Sequence, residues 1–313
     1  MLISFIIAAY NAEQYLLRCI ESCLHIKCEK EIIIINDGST DGTLSVIEKI
    51  IDLYPKEIKV INQPNRGVSN ARNAGISAAY GEWLFFVDAD DYVNAIEIEN
   101  ILRDRQLDDN IDVCTFGVNF VYHNKIETHR VKDKIYSTEY FLNSGIFQLA
   151  SWNYIFRRKL VICNGIRFPE GIICTEDQNF NIKCLCCTNK IISFDTIIYN
   201  YNCINSNSVS KKKHSVDWIK SRLSSANELL TFCINHSITS VKVQNQVKRL
   251  YESYMMDNTT NIGILQKGCF FKKEYKQTIS MLPTFKNVRK FRLCSLCFYI
   301  GAMLFYIYKN VKK

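Results

Sequence analysis

The sequence predicts an α/β fold: a mainly parallel sheet flanked by helices, with a C-terminal helical extension. Two observations carry this expectation. Across the first hundred residues, short β-branched or aromatic runs alternate with stretches of helical period, the pattern of successive βαβ units. From Val216 on, the apolar residues Trp218, Ile219, Leu223, Leu229 and Leu230 recur at helical spacing instead.

Ile3–Ala9 is an apolar run that reads as a buried strand, and it stops at Tyr10-Asn11. A helix is expected from about Ala12, carrying Leu16, Leu17, Ile20 and Leu24 on one face. Glu31–Ile35 is a second strand, broken by Asn36-Asp37-Gly38-Ser39-Thr40-Asp41-Gly42-Thr43, whose Gly, Asn, Asp and Ser favour a tight turn. A helix around Leu44–Ile51 and a third strand, Ile58–Ile61, follow. Asn65-Arg66-Gly67 is a turn, and 68–79 a helix bearing Arg72 and Asn73. The fourth strand is Trp83-Leu84-Phe85-Phe86-Val87, bounded by Gly81 and running straight into Asp88, Asp90 and Asp91. Further on, Asp112–Phe120 reads as another strand and Glu127–Tyr136 as a polar connection.

Length and composition set bounds. The 313 residues suit one large or two ordinary domains, and 48% hydrophobic with 22% charged residues is globular. The net charge of +8 is unevenly spread: residues 1–204 hold 20 Lys+Arg against 26 Asp+Glu, leaving 19 against 5 for residues 205–313. The last third is thus strongly basic and points to an anionic partner, a membrane surface or nucleic acid. The 14 cysteines show no zinc or disulfide spacing, and reduced, buried thiols in a cytosolic protein are expected. Leu2–Ala9 lacks the basic n-region and cleavage site of a signal peptide.

The chemistry gathers where the strands end. Asp88 and Asp90, two apart beyond a strand, fall at the rim of the sheet, where open α/β folds bind ligands. Such a pair can share a hard cation that keeps phosphate oxygens as its other ligands. The plainer reading is a solvated acidic turn with Asp91 as N-cap and Glu97 in the next helix's first turns. No Gly-x-Gly-x-x-Gly follows an early strand and no P-loop pattern occurs.

Four segments then add up: Ala8-Ala9-Tyr10-Asn11, the 36–43 turn, Asn65–Asn73 and Asp88-Ala89-Asp90-Asp91. In this order, over about 90 residues, they resemble the motif series of glycosyltransferase family 2, GT-A-fold enzymes that use nucleotide-sugars. The resemblance implies that Ala8 and Tyr10 frame the base and Asp37 accepts from a base N–H. By the same resemblance Arg72 holds the donor, Asp88 takes the ribose, and Asp90 binds a divalent metal, Mn²⁺ or Mg²⁺. Ser151–Arg158 is similar to the family's tryptophan-centred segment, so Trp152 is expected on the acceptor side, where a core tryptophan is the plainer reading. Phe168–Phe180 resembles the acidic segment in which the second carboxylate of Glu176-Asp177 is the catalytic base. On the residues alone, Thr175 reads as an N-cap with both carboxylates in a first helical turn. Tyr199–Ser210 looks like the end of the catalytic domain, with Asn202 where many relatives carry Arg. Lys211–Lys213 read as a solvated basic loop, and His214 as a weak candidate for completing the metal site.

The resemblance covers residues 1–210, read as a catalytic domain with a nucleotide-sugar half (1–100) and an acceptor half (101–210). Residues 211–313 are the basic extension. The implied activity is inverting transfer of a sugar, from a UDP-sugar by default, to a hydroxyl of a saccharide or lipid-linked acceptor, in surface polysaccharide or glycan synthesis. Two rivals remain at this level. A sugar nucleotidyltransferase shares paired carboxylates and a parallel sheet, and a non-catalytic nucleotide- or nucleic-acid-binding protein is suggested by the basic tail, although nucleic acid is not the expected partner. The stretch Leu293–Tyr308 is sixteen uncharged residues with Lys or Arg on both flanks. A sixteen-residue helix, at about 24 Å, falls short of a hydrocarbon core of about 30 Å, so peripheral attachment to the cytoplasmic face of a membrane is expected.

Overall fold

The computed structural model of the chain describes residues 2–103, 107, 110–143, 147–205 and 216–238. The chain divides into two compact units, one up to His214 and one from Ser215. In the first, the early elements follow the alternation read from the sequence: β1 (Ile3–Ala9), α1 (Leu16–Leu24), β2 (Lys30–Asp37), α2 (Thr43–Leu53), β3 (Ile58–Gln63), α3 (Val68–Ala78) and β4 (Trp83–Asp88). Next come β5 (Tyr92–Val93), α4 (Ala95–Arg103), β6 (Val113–Val121), β7 (Ile126–His129), β8 (Lys134–Ser137) and α5 (Thr138–Asn143). A 3-10 turn at Ser151–Asn153 leads into β9 (Tyr154–Arg157), α6 (Arg158–Cys163), α7 (Glu176–Cys186) and β10 (Lys190–Asn202).

All ten strands join one sheet in the order β3-β2-β1-β4-β9-β6-β10-β5, with β7 on β6 and β8 on β10. The strands β3, β2, β1 and β4 are parallel, as βαβ units require. Beyond β4 the sheet is mixed. Strand β9 lies antiparallel between β4 and β6, while β6 and β10 are parallel. The rim that collects the ends of β1, β2, β4, β6 and β10 therefore also receives the start of β9, with Trp152 and Asn153 just before it.

Adjacent residues of β4 point to opposite faces. Phe85 packs with Phe5, Phe116 and Tyr199 at ring separations of 5.8, 5.6 and 6.1 Å. Phe86 packs on the other face, edge-on to Phe168 at 5.0 Å and Phe180 at 5.3 Å. Strand β4 is thus buried on both sides, which is why its sequence runs apolar without alternation.

Local expectations are revised in four places. Helix α1 begins at Leu16, because Ala12 first closes a turn through its carbonyl to the amides of Tyr15 and Leu16, both at 3.0 Å. The stretch 127–136 is not a plain connection but carries β7 and the start of β8. Strand β7 is exposed at every position, so no apolar alternation marks it in the sequence. Asp91 does not cap α4; it is buried, and Asn94 Oδ1 accepts from Glu97 N at 3.4 Å instead. Thr175 makes no side-chain cap, its backbone being left-handed at φ +67°.

In the second unit, the helix expected from Val216 is α8 (Val216–Asn235), with Ser221, Ser225, Ala226, Leu229 and Cys233 buried. The expectations for Lys211–His214 and Leu293–Tyr308 lie outside the described residues. Among the described residues no helix is long and apolar enough to cross a membrane.

Candidate active site

The turn after β2 and the turn before α3 form one unit through Asp37. Its carboxylate accepts from Gln63 Nε2 at 2.7 Å, Arg66 N at 2.9 Å and Gly67 N at 2.8 Å, and the residue is 3% exposed. The two turns touch backbone to backbone: a Cβ at Gly38, whose φ is +68°, would come within 2.6 Å of Asn65 N. Only glycine fits both the conformation and the approach. Asp37 thus orders the rim of the sheet at the end of β2. Ala8 lies in register with Ile35 on one side and Asp88 on the other, and Tyr10, just beyond β1, is 50% exposed.

Helix α3 then brings Arg72 beneath that rim, 4% exposed. Its Nη2 donates to Asp88 Oδ1 at 2.8 Å and its Nη1 to Asp177 Oδ1 at 2.7 Å, with Glu176 Oε1 at 3.8 Å. Three carboxylates share one guanidinium. Burial works against the charge of Arg72, but Asp177, Asp88 and Glu176 outweigh it and raise its pKa. Burial likewise raises Asp177, against the pull of Arg72 and with the push of Asp88. Glu176 rises to about 7, from burial and then the charge of Asp177, with Arg72 opposing both. The phenyl ring of Phe168 lies under the guanidinium, 5.2 Å from its carbon, and stacks on Phe180 of α7 at 4.0 Å.

The acidic turn beyond β4 is wired to the end of β10. Tyr199 accepts from Asp88 N at 3.1 Å and donates to Asp91 Oδ2 at 2.7 Å, while Asn202 N donates to Asp91 Oδ1 at 2.6 Å. Asn202 Nδ2 reaches the Asp90 carbonyl at 3.1 Å, and Asn205 Nδ2 donates to Asp90 Oδ2 at 2.8 Å. Arg18 of α1 donates to the same carbonyl at 3.1 Å. Burial, then repulsion from Asp88, raises the pKa of Asp90; Asp91 rises further, for burial and for both neighbouring charges. Asn202 organises this turn.

Of the residues singled out in the sequence, Arg72, Asp88, Glu176 and Asp177 come into one cluster, and Asp90 sits two residues away on the turn. Trp152 does not face that cluster. It is 7% exposed and stacks on Tyr199 at 4.5 Å and Tyr201 at 5.2 Å, in the layer of Phe85 rather than that of Phe86 and Phe168. Sequence reading placed Tyr199, Asn205, Asn73 and Phe168 in its motif segments but gave them no role, and offered Asp91 as a cap in the plainer of its two readings. The alternation Tyr199-x-Tyr201 was the available signal for the first; for the others only membership of a motif segment was, and that assigns no contact. Among the described residues no group of three or more His, Cys, Asp or Glu forms a metal cluster.

Comparison with known proteins agrees with this fold. The putative glycosyltransferase EpsH of Bacillus subtilis is 26% identical over 88% of this chain and 86% of its own length. The uncharacterized glycosyltransferase YibD of Escherichia coli is 32% identical over 57% of this chain, which spans 56% of that protein. The crystal structure of Staphylococcus aureus TarS 1–349 in complex with UDP-GlcNAc superposes with a TM-score of 0.74 at 22% identity, over 90% of this chain and 82% of TarS 1–349, which shows a shared GT-A fold. The model of "Glycosyl transferase family 2" matches residues 4–165, more than half of the chain, and the chain belongs to that family of glycosyltransferases.

Proposed function

We propose that the enzyme moves a sugar from a nucleotide-diphospho-sugar to a hydroxyl of a saccharide or lipid-linked acceptor, with inversion, in surface polysaccharide synthesis. The observation that carries this is the bridge from Arg72 to both Asp88 and Asp177. It sets a carboxylate of the donor half beside one that opens α7.

In this reading Ala8, Tyr10 and Asp37 surround the base, Asp37 meeting its N–H with a lone pair left over from the turn. Asp88 accepts from the ribose. Asp177 takes the proton from the acceptor hydroxyl as that oxygen attacks the anomeric carbon from the face opposite the leaving diphosphate. Arg72 holds Asp177 ionised for this step, and it offsets the negative charge of the donor. Glu176 lines the acceptor side. Trp152 contributes there through the placement of Ser151–Asn153, since its ring is in the core. UDP is the expected nucleotide; TarS, of the same fold, is known in complex with UDP-GlcNAc and with UDP.

The acidic turn fits a hard divalent cation, Mn²⁺ or Mg²⁺. Asp88 and Asp90 supply hard oxygens whose mutual repulsion a cation relieves, and such ions accept one or two carboxylates with phosphate oxygens and water completing the shell. When bound there through Asp90, the ion would stabilise charge on the departing diphosphate. Asn205 fixes the Asp90 side chain and Asn202 the turn beneath it.

The basic flanks of Leu293–Tyr308 support peripheral attachment to an anionic membrane surface, near a membrane-delivered acceptor. The test of the activity is a panel of nucleotide-sugars with Mn²⁺, scored by thermal stabilisation and then by nucleotide release. A donor at 100 times its Kd adds about 2.7 kcal/mol to apparent stability. Stabilisation by a UDP-sugar above that of UMP supports the reading, and indifference to every nucleotide-sugar rejects it.

A further inference from the structure

Residue 73 follows Arg72 on α3 but turns to a different task. The Asn73 side-chain amide pairs with one peptide group pair as a strand neighbour would: its Nδ2 donates to Phe168 O at 2.9 Å, and its Oδ1 accepts from Phe168 N at 2.9 Å. Nδ2 also reaches Glu170 Oε1 at 3.2 Å. The same connector is gripped from α7, where buried Lys183 donates Nζ to Arg167 O at 3.1 Å. Between the two grips sits the Phe168 ring, face to face with Phe180 at 4.0 Å and 2°, and edge-on to Phe86 at 5.0 Å.

Phe180 lies one helical turn beyond Glu176 and Asp177. Whatever fixes Phe168 against Phe180 therefore contributes to the roll of α7 about its axis, together with Asn181 Nδ2 on Leu149 O at 2.8 Å, and so to the direction of Asp177. The remaining connector does not do this. It passes through left-handed backbone at Gly171 and Thr175, with φ of +71° and +67°, immediately before the two carboxylates. A β-branched residue in that conformation is strained and persists only where its surroundings hold it.

We infer that Asn73 is a positioning residue for Asp177: through Phe168 it sets the seat of α7, and so the registration of Asp177 on Arg72. This rests on the reading of Asp177 as the base. Arg72 and Asn73 then divide one job between consecutive positions of α3, the first holding the charge and the second the scaffold that presents it. Helix α3 thereby locks donor-side and acceptor-side carboxylates to the same rigid element.

The test uses the full-length chain and two independent readouts. The first needs no substrate. Coupling between Arg72 and Asp177 is measured by a double-mutant cycle of Arg72→Met and Asp177→Asn in urea unfolding, then repeated with Asn73→Asp present. Asn73→Asp keeps the acceptor for Phe168 N but turns a charged oxygen on Phe168 O and Glu170 Oε1 in place of the Nδ2 donor, and Asn73→Ala removes both groups without adding charge. The inference expects the coupling to fall to less than half with either variant; unchanged coupling overturns it.

The second readout is UDP release from UDP-GlcNAc with Mn²⁺. Asn73→Asp should lower kcat by about 10- to 100-fold, the effect of ångström-scale misplacement, while donor KM stays within about two-fold. In an Asp177→Asn background it should lower kcat no further. An equal drop in that background, or a loss of donor binding and of cooperative unfolding in both variants, overturns the assignment and makes Asn73 a folding residue. Near-normal turnover of Asp177→Asn alone would instead reject Asp177 as the base, and the coupling measurement still decides the structural claim.

Discussion

Arg72 and Asp177 lie 105 positions apart in sequence and 2.7 Å apart in the fold. The other arm of the same guanidinium holds Asp88 at 2.8 Å. A planar fork with two separated donors is what arginine offers and lysine does not. The end of β4 and the opening of α7 are therefore electrically one site, and a charge change on either side is felt on the other.

Replacing Arg72 by Met keeps the length of the stem and strips the cation from three carboxylates. Removing one partner of a buried ion pair costs about 3–5 kcal/mol, and Asp88 and Asp177 are partly exposed, so the lower end is expected. The loss should be larger at pH 8 than at pH 5, because protonation relieves the stranded carboxylates. Urea unfolding at the two pH values checks this. Arg72→Lys should recover charge but only one of the two bonds, and less than half of the stability.

Asp177→Asn preserves shape and can still accept from Arg72, but it is no longer a base. Nucleotide-sugar affinity should stay within a few-fold while turnover falls by ~10²–10⁴, the usual worth of a general base. Affinity by calorimetry and turnover by nucleotide release separate the two. Parallel losses of both would mark Asp177 as structural.

Glu176 carries a pH signature of its own. Burial and the charge of Asp177 lift its pKa from 4.5 in the unfolded chain to about 7 in the fold. Between these values the folded protein binds the extra proton, so stability from this group is full below about 4.5 and is lost as pH rises to 7. Glu176→Gln stays neutral throughout. It should therefore be more stable than the parent at pH 8, by on the order of 2 kcal/mol in urea unfolding, and match it near pH 4.5. A variant less stable than the parent at pH 8 would contradict the cause assigned to the shift.

Most of the fold was legible because the first hundred residues are built locally. The runs Ile3–Ala9, Glu31–Ile35 and Trp83–Val87 are apolar on both faces and bounded by turn residues, and each became a buried strand. The second half was harder to read. Strand β7 is exposed at all four positions and β9 is only four residues long, so neither carries a period, and the antiparallel insertion of β9 has no local signal. In the site, Arg72, Asp88 and Asp177 were legible through motif order. Their mutual contact was not, since it joins residues 16 and 105 positions apart. The plainer reading of Asp91 as a cap fails for a physical reason: a carboxylate before a helix usually caps it, but this one is buried under Tyr199 and the Asn202 amide.

The basic tail gives a prediction that rests on sequence. Lys286, Arg289, Lys290 and Arg292 precede Leu293–Tyr308, and Lys309, Lys312 and Lys313 follow it. Charge on both flanks suits a segment whose two ends stay at one anionic surface, each basic residue adding about 1 kcal/mol near it. Truncation after Phe285 should abolish sedimentation with phosphatidylserine vesicles at low salt and spare donor-induced thermal stabilisation. Equal vesicle binding by the truncated and full-length chains would remove the tail from the account.

The metal assignment turns on Asp90. Its Oδ2 accepts from Asn205 at 2.8 Å, and its neighbour Asp88 is held by Arg72, so one oxygen on each residue is turned to a structural bond. Asp90→Asn keeps an oxygen for Asn205 and removes a charge that Asp88 repels. The ligand-free protein should accordingly be as stable as the parent or slightly more so. Donor binding should behave in the opposite way. In the parent, Mn²⁺ should strengthen UDP-sugar binding, because a cation between carboxylate and diphosphate neutralises both; in Asp90→Asn that enhancement should vanish and turnover should fall by ~10² or more. Calorimetry with and without Mn²⁺ reads the difference directly, free of any catalytic step. A variant that kept the Mn²⁺ enhancement would move the cation off Asp90, and one destabilised without ligand would show that Asp90 serves the turn rather than the ion.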